Sequence, residues 1–179
     1  NYDLSLMKFA FKVASEMAAD LQLNDEAAHW KEVGEELPAL DVDKEGALTI
    51  AKGFPYKDSH RHFSHALAIH PLGLIDYSQG EESQKIINAT IQRLQEVGPD
   101  WWCGYSYSWF GNMKARAFDG EGAAQELKTF AECFCLPNTF HANGDQTKSG
   151  KSKYTYRPFT LEGNFAFAAG IQEMLMQSH

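Results

Sequence analysis

Leu4, Met7, Phe11, Ala14, Ala18 and Leu21 recur at alternating spacings of three and four residues. That periodicity puts one apolar stripe on a helix, and Asp3 favours its start. A second helix opens at Asn24-Asp25-Glu26, turns Ala27, Trp30, Val33 and Leu37 inward, and ends at Pro38. The short link between the two predicts antiparallel neighbours. Residues 39–58 carry no clear period; Ala47-Leu48-Thr49-Ile50 reads as a short strand. From Glu82 to Val97 the pattern is helical again, with Ile86, Ile87, Ile91, Leu94 and Val97 inward and Pro99 as the stop. Between Trp101 and Phe118 the residues Trp102, Tyr105, Trp109, Phe110 and Met113 leave almost no polar face before Lys114, so that helix is expected to be buried on several sides. Asp119-Gly120 is a turn, and Glu121–Phe134 a further amphipathic helix through Ala124, Leu127, Phe130, Ala131 and Phe134. Residues 136–157 are polar and rich in Gly, Ser, Lys and Asn, which predicts a long exposed loop. The last helix is expected from about Gly163 to Met176, closely packed through Phe165, Ala168, Ala169, Gly170 and Ile171. The fold class is all-α. Outer amphipathic helices alternate with inner buried ones, the order of an α/α toroid, with polar loops at one end of the inner helices building a site.

The 179 residues are enough for one domain with a real core. A net charge of −8 and the absence of a basic patch argue against a nucleic-acid partner. No apolar run approaches membrane-spanning length, so no membrane partner is expected. There is no signal peptide, and the start at Asn1 without a Met is read as a missing N-terminus. Cys103, Cys133 and Cys135 are odd in number and irregular in spacing, which excludes a disulfide framework and favours buried thiols.

Three of the seven histidines fall in His60-Arg61-His62-Phe63-Ser64-His65. Imidazoles donate, accept or carry charge near neutral pH, and a guanidinium binds oxygen in a fixed fork. A short helix opening at Asp58 or Ser59 would hold this cluster at the edge of a core. Three readings compete: a hydrogen-bonded packing network, a metal site using His62 and His65, and a binding or catalytic pocket. No HExxH, Cys pair or acidic ligand stands at metal spacing, so neither metal nor cofactor is expected.

A second polar group gathers at the entry to the last helix. Glu162 meets backbone N–H groups and the helix dipole there, and reads either as a cap or as a functional base. Asn164 is a further pocket candidate, and Arg157 a partner for Glu162 or a ligand. Among the aromatics near residue 101, Trp101 and Trp102 at a helix entry are the better candidates for stacking on a sugar.

Several of these stretches together resemble glycoside hydrolase family 95. They are His60-Arg61-His62-Phe63-Ser64-His65 with Pro71 beyond it, Gly104-Tyr105-Ser106-Tyr107-Ser108-Trp109, and Pro158-Phe159-Thr160-Leu161-Glu162-Gly163-Asn164-Phe165 followed by Ala169-Gly170-Ile171. They keep the family's order and span roughly residues 58–178. The resemblance implies inverting α-L-fucosidase or α-L-galactosidase chemistry on an (α/α)6 barrel. Residues 1–179 would then be a single domain portion, the C-terminal part of a larger catalytic domain forming an incomplete toroid. It implies that Glu162 stands where the family has its general base, an Asp. It further implies that His60, Arg61 and His62 bind sugar hydroxyls or tune charge, and that the general acid lies upstream of this chain; Trp101, Trp102, Asn164 and Arg157 join them as substrate-binding candidates on residue chemistry alone. The implied partners are a fucosylated or galactosylated glycan and the remainder of the catalytic domain, or a second copy covering the open barrel. The implied location is periplasmic or extracellular. Two other readings remain at this level: an α/α-barrel sugar epimerase or isomerase working through the histidines, and a non-catalytic carbohydrate-binding module.

Overall fold

The structure is a computed structural model and describes residues 1–177. Ser178 and His179, where the family resemblance ends, lie outside the described residues. Six α-helices make up its regular structure: α1 (Tyr2–Asp20), α2 (Asn24–Glu35), α3 (Glu81–Val97), α4 (Gly104–Arg116), α5 (Gly120–Cys133) and α6 (Leu161–Leu175). Among the described residues there is no strand, only isolated bridges. The stretch read as a strand contributes one of them, Val42 to Leu48.

α1 and α2 pack as the expected antiparallel pair. Phe11 stacks on Trp30 at 5.8 Å, and the Ser15 hydroxyl donates to the Ala27 carbonyl. The α1 stripe is only partly covered: Ala18 is buried, whereas Met7 and Leu21 are exposed. Asn1 ties the start of α1 to the irregular segment, its side chain bonding to Asp41 and Thr49.

α4 is the centre of the molecule. Every residue from Ser106 to Ala115 is buried, as its lack of a polar face requires. α5 lies antiparallel against it, joined through the Asp119 cap on the Gly122 N–H. Gly111 lets the two approach closely, for a Cβ there would lie 3.1 Å from the Leu127 side chain. α6 runs parallel to α4. His141 touches Gly104 and Gly163 in their first turns, Asn112 donates to the Ala166 carbonyl, and Arg116 pairs with Glu173 near their ends. A buried ion pair, Lys114 to Glu126 at 2.7 Å, joins α4 to α5. α3 turns Ile87, Thr90 and Leu94 into the core, and Phe63, Trp102, Phe110, Phe130 and Phe134 fill the space around α4.

Three expectations change. The histidine cluster is not helical: residues 60–63 are irregular and lead into a single 3-10 turn, Ser64–Ala66. Side chains from elsewhere take up that backbone instead, with the Tyr56 hydroxyl bonding His60 and the Ser106 hydroxyl donating to the Arg61 carbonyl. The 136–157 segment is not simply exposed, since His141, Ala142, Asp145 and Ser152 are buried. Asp145 organises it by accepting from Thr147, Ser149 and the Lys151 N–H, and these bonds hold its carboxyl below the usual range against the opposing effect of burial. Last, α6 is not closely packed all round: Gly163 and Gly170 are buried, but Phe165 is 69% and Leu175 82% exposed. Its residues are apolar on more sides than its neighbours among the described residues cover.

Candidate functional site

The polar ends of α4 and α6 open on one cavity of about 430 Å³, lined by Arg61, His62, Cys103, Tyr105, Trp109, Asn143 and Glu162. Two serines on the first turns of α4 bring its parts together. Ser106 accepts from the Cys103 N–H at 3.1 Å and donates to the Arg61 carbonyl at 2.7 Å, which pins the Arg61-His62 loop to the helix start. Ser108 donates to the Gly163 carbonyl at 3.2 Å and holds the first turn of α6, with Glu162, on the other side. The alternation Tyr105-Ser106-Tyr107-Ser108-Trp109 thus sends hydroxyls to two neighbours, while Tyr105 and Trp109, four residues apart, share the cavity face. Their rings meet edge to face at 5.6 Å.

Glu162 sits in the first turn of α6 and is exposed to the cavity. It does not occupy the cap position, which belongs to Thr160. No ion pair among the described residues involves it. Its charge is nonetheless felt by the groups around it. Burial, Arg61 and His60 hold the His62 pKa below the ordinary histidine value, and Glu162 works against them. Burial, and then Glu162, raises the Tyr105 phenol. The cavity therefore sets Arg61, an imidazole and a phenol each biased toward its neutral form, and Glu162 around one space.

His60 stands behind His62, accepting from its N–H through Nδ1 at 3.2 Å, and does not line the cavity. Trp102 is 3% exposed and packs edge-on against Phe63, Tyr107 and Phe110 in the core. Trp101 lies outside the cavity, under Lys153 and against Tyr154. Asn164 clamps a loop, accepting from the His141 N–H and donating to the Thr139 carbonyl. Arg157 is exposed and reaches neither the cavity nor Glu162. His65 is buried and stacked on Tyr56 at 4.7 Å, apart from His62. Among the described residues no three metal-ligating side chains gather.

Four cavity residues were not singled out as site residues by sequence. Tyr105 and Trp109 carried a signal, their spacing of four on a helix that starts at the pocket. Cys103 reads by sequence as a buried thiol, which it is, although its side of the helix start also borders the cavity, and Asn143 carried no signal because it comes from an aperiodic loop. That loop is brought in by His141, whose ring is wholly buried between two glycines. A Cβ on Gly104 or on Gly163 would each lie 2.4 Å from an imidazole nitrogen, so both positions exclude any side chain.

A family model for the glycosyl hydrolase family 95 catalytic domain matches residues 1–175. The chain belongs to glycosyl hydrolase family 95. This family 95 chain is also similar to alpha-L-fucosidase 2 of Arabidopsis thaliana, 29% identical over 145 residues. That match covers 79% of the chain and 16% of the relative, so the chain spans less than a fifth of the length of the curated protein it resembles. The cavity residues all fall within the matched region.

Proposed function

We propose that this chain is the base-side part of an inverting, α-L-fucosidase-like glycoside hydrolase, in which Glu162 activates the attacking water. The observation that carries the reading is a carboxylate without an ion-pair partner, mounted on a helix start and facing a guanidinium, an imidazole and two aromatic rings across one open cavity. Inversion requires one carboxylic acid on the leaving oxygen and a second carboxylate on water at the opposite face, roughly 6.5–9.5 Å away. Glu162 supplies the second, and the acid comes from the remainder of the catalytic domain. Arg61 and His62 bind sugar hydroxyls, with His60 orienting His62. Tyr105 and Trp109 form the apolar wall on which a deoxy-sugar face rests. α4 and α6 are then inner helices, and α3 and α5 outer ones, of an incomplete (α/α)6 toroid. The substrate class is a glycan ending in L-fucose or a related sugar.

Glu162→Gln in the full-length protein tests this. Gln keeps the volume and some hydrogen bonding but cannot take a proton from water. General-base assistance is worth about 10²–10⁴-fold, so kcat on an aryl α-L-fucoside should fall by that order with the melting temperature little changed. Near-wild-type kcat would refute the assignment.

A further inference from the structure

Asn143 lines the cavity with all but one of its polar groups already engaged. Its backbone N–H donates to the Pro158 carbonyl at 3.1 Å, and its backbone carbonyl accepts from the Gly104 N–H at 3.4 Å. Its side-chain oxygen accepts from the Thr160 hydroxyl at 3.1 Å. The polarity of that last bond is forced from behind. His141 Nδ1 lies 2.8 Å from the Thr160 carbonyl oxygen, which only accepts, so Nδ1 carries the proton. The same N–H reaches the Thr160 hydroxyl oxygen at 2.9 Å. Thr160 therefore accepts from the imidazole and passes its own proton forward to Asn143. The imidazole cannot turn, packed as it is between Gly104 and Gly163. An amide flip at Asn143 would set its NH2 against the hydroxyl proton. The Thr160 bond directs the amide oxygen toward the helix start and leaves the NH2, a pure donor, as the group without a partner in the protein.

We propose that Asn143 is a substrate-binding residue of the Glu162 cavity, presenting its amide N–H groups to the oxygen of a sugar hydroxyl, with Thr160 and His141 as positioning residues that fix its donor polarity. The proposal rests on the glycosidase reading and adds a contact to it. A sugar hydroxyl needs donors for its lone pairs and an acceptor for its proton. Arg61 and Asn143 supply the donors. An asparagine free to flip would accept as readily as donate and would not discriminate.

The test uses the full-length protein, an aryl α-L-fucoside for kinetics and L-fucose for calorimetric binding. Asn143→Ala should raise KM and weaken L-fucose binding about tenfold, the loss expected for one hydrogen bond, with a smaller change in kcat. Thr160→Val should reproduce part of that loss, and Thr160→Ser, which keeps the hydroxyl, should restore wild-type binding. Asn143→Asp keeps the shape but replaces the amide donor by an acceptor, and should weaken L-fucose binding as Asn143→Ala does. Wild-type KM and binding in both Asn143→Ala and Asn143→Asp would overturn the proposal. Measuring L-fucose binding in the Glu162→Gln background separates the two claims. Retained kcat in that variant removes the base, whereas Asn143 is judged by affinity alone.

Discussion

At the scale of single residues, His65 shows how burial decides a role that composition left open. It lies four positions from Arg61, yet its ring is buried against Tyr56, and desolvation holds its pKa down to about 4. In the unfolded chain the value is about 6.5, so the unfolded state binds more protons throughout the window between. Stability should therefore be full above about pH 6.5 and should decline as the pH falls toward 4. The contribution is at most about 3 kcal/mol, from 1.36 kcal/mol per pKa unit. Urea titrations at pH 7 and pH 5 should show this slope, and His65→Phe should flatten it. A variant that keeps the full slope would remove His65 as its source. Arg61, His62 and Glu162 were legible because each sits in a short run of unusual residues. Asn143 was not, because its place follows from a buried imidazole that pattern reading cannot locate.

Among elements, the helices were the readable part, since each has a period and a stop. α3 and α5 keep the inward positions Ile87, Leu94, Leu127 and Phe130 that their spacing gave. The 60–63 loop and the 136–157 segment differ from their expected form because side chains rather than a helical ladder satisfy their backbones, Tyr56 and the distant Ser106 in the first and Asp145, from within the segment, in the second. Trp101 and Trp102 precede α4, so helical spacing did not apply to them, and Tyr105 and Trp109 reach the cavity in their stead. The joint between α4 and α6 is tight enough to test. Gly163→Ala should cost about 1–3 kcal/mol through overpacking against His141, read as a lower denaturant midpoint. Removing the ring as well, in Gly163→Ala with His141→Ala, should give a smaller total than the sum of the single changes. Strict additivity would mean that the ring and the glycine do not meet.

For the whole molecule, the decisive feature is the apolar surface left bare on α1 and α6, including Met7, Met17, Phe165, Leu175 and Met176. Large apolar side chains left exposed in such numbers point to an interface. The isolated 179-residue chain should therefore self-associate at micromolar concentration, with a sedimentation coefficient that rises with concentration. Phe165→Lys should shift it toward monomer. A monomer at all concentrations would show that these residues do not form a joining surface. α6 also carries Glu162 in its first turn, and it is held along α4 and against α5, through Phe167 on Phe130 and Gly170 on Leu127. If Glu162 is the base proposed above, whatever covers Phe165 and Leu175 lies on the same helix as the reacting carboxylate, so covering that face and completing the site go together. Supplying the rest of the domain as a separate polypeptide should then restore amide protection in α6 and hydrolytic turnover at the same concentration.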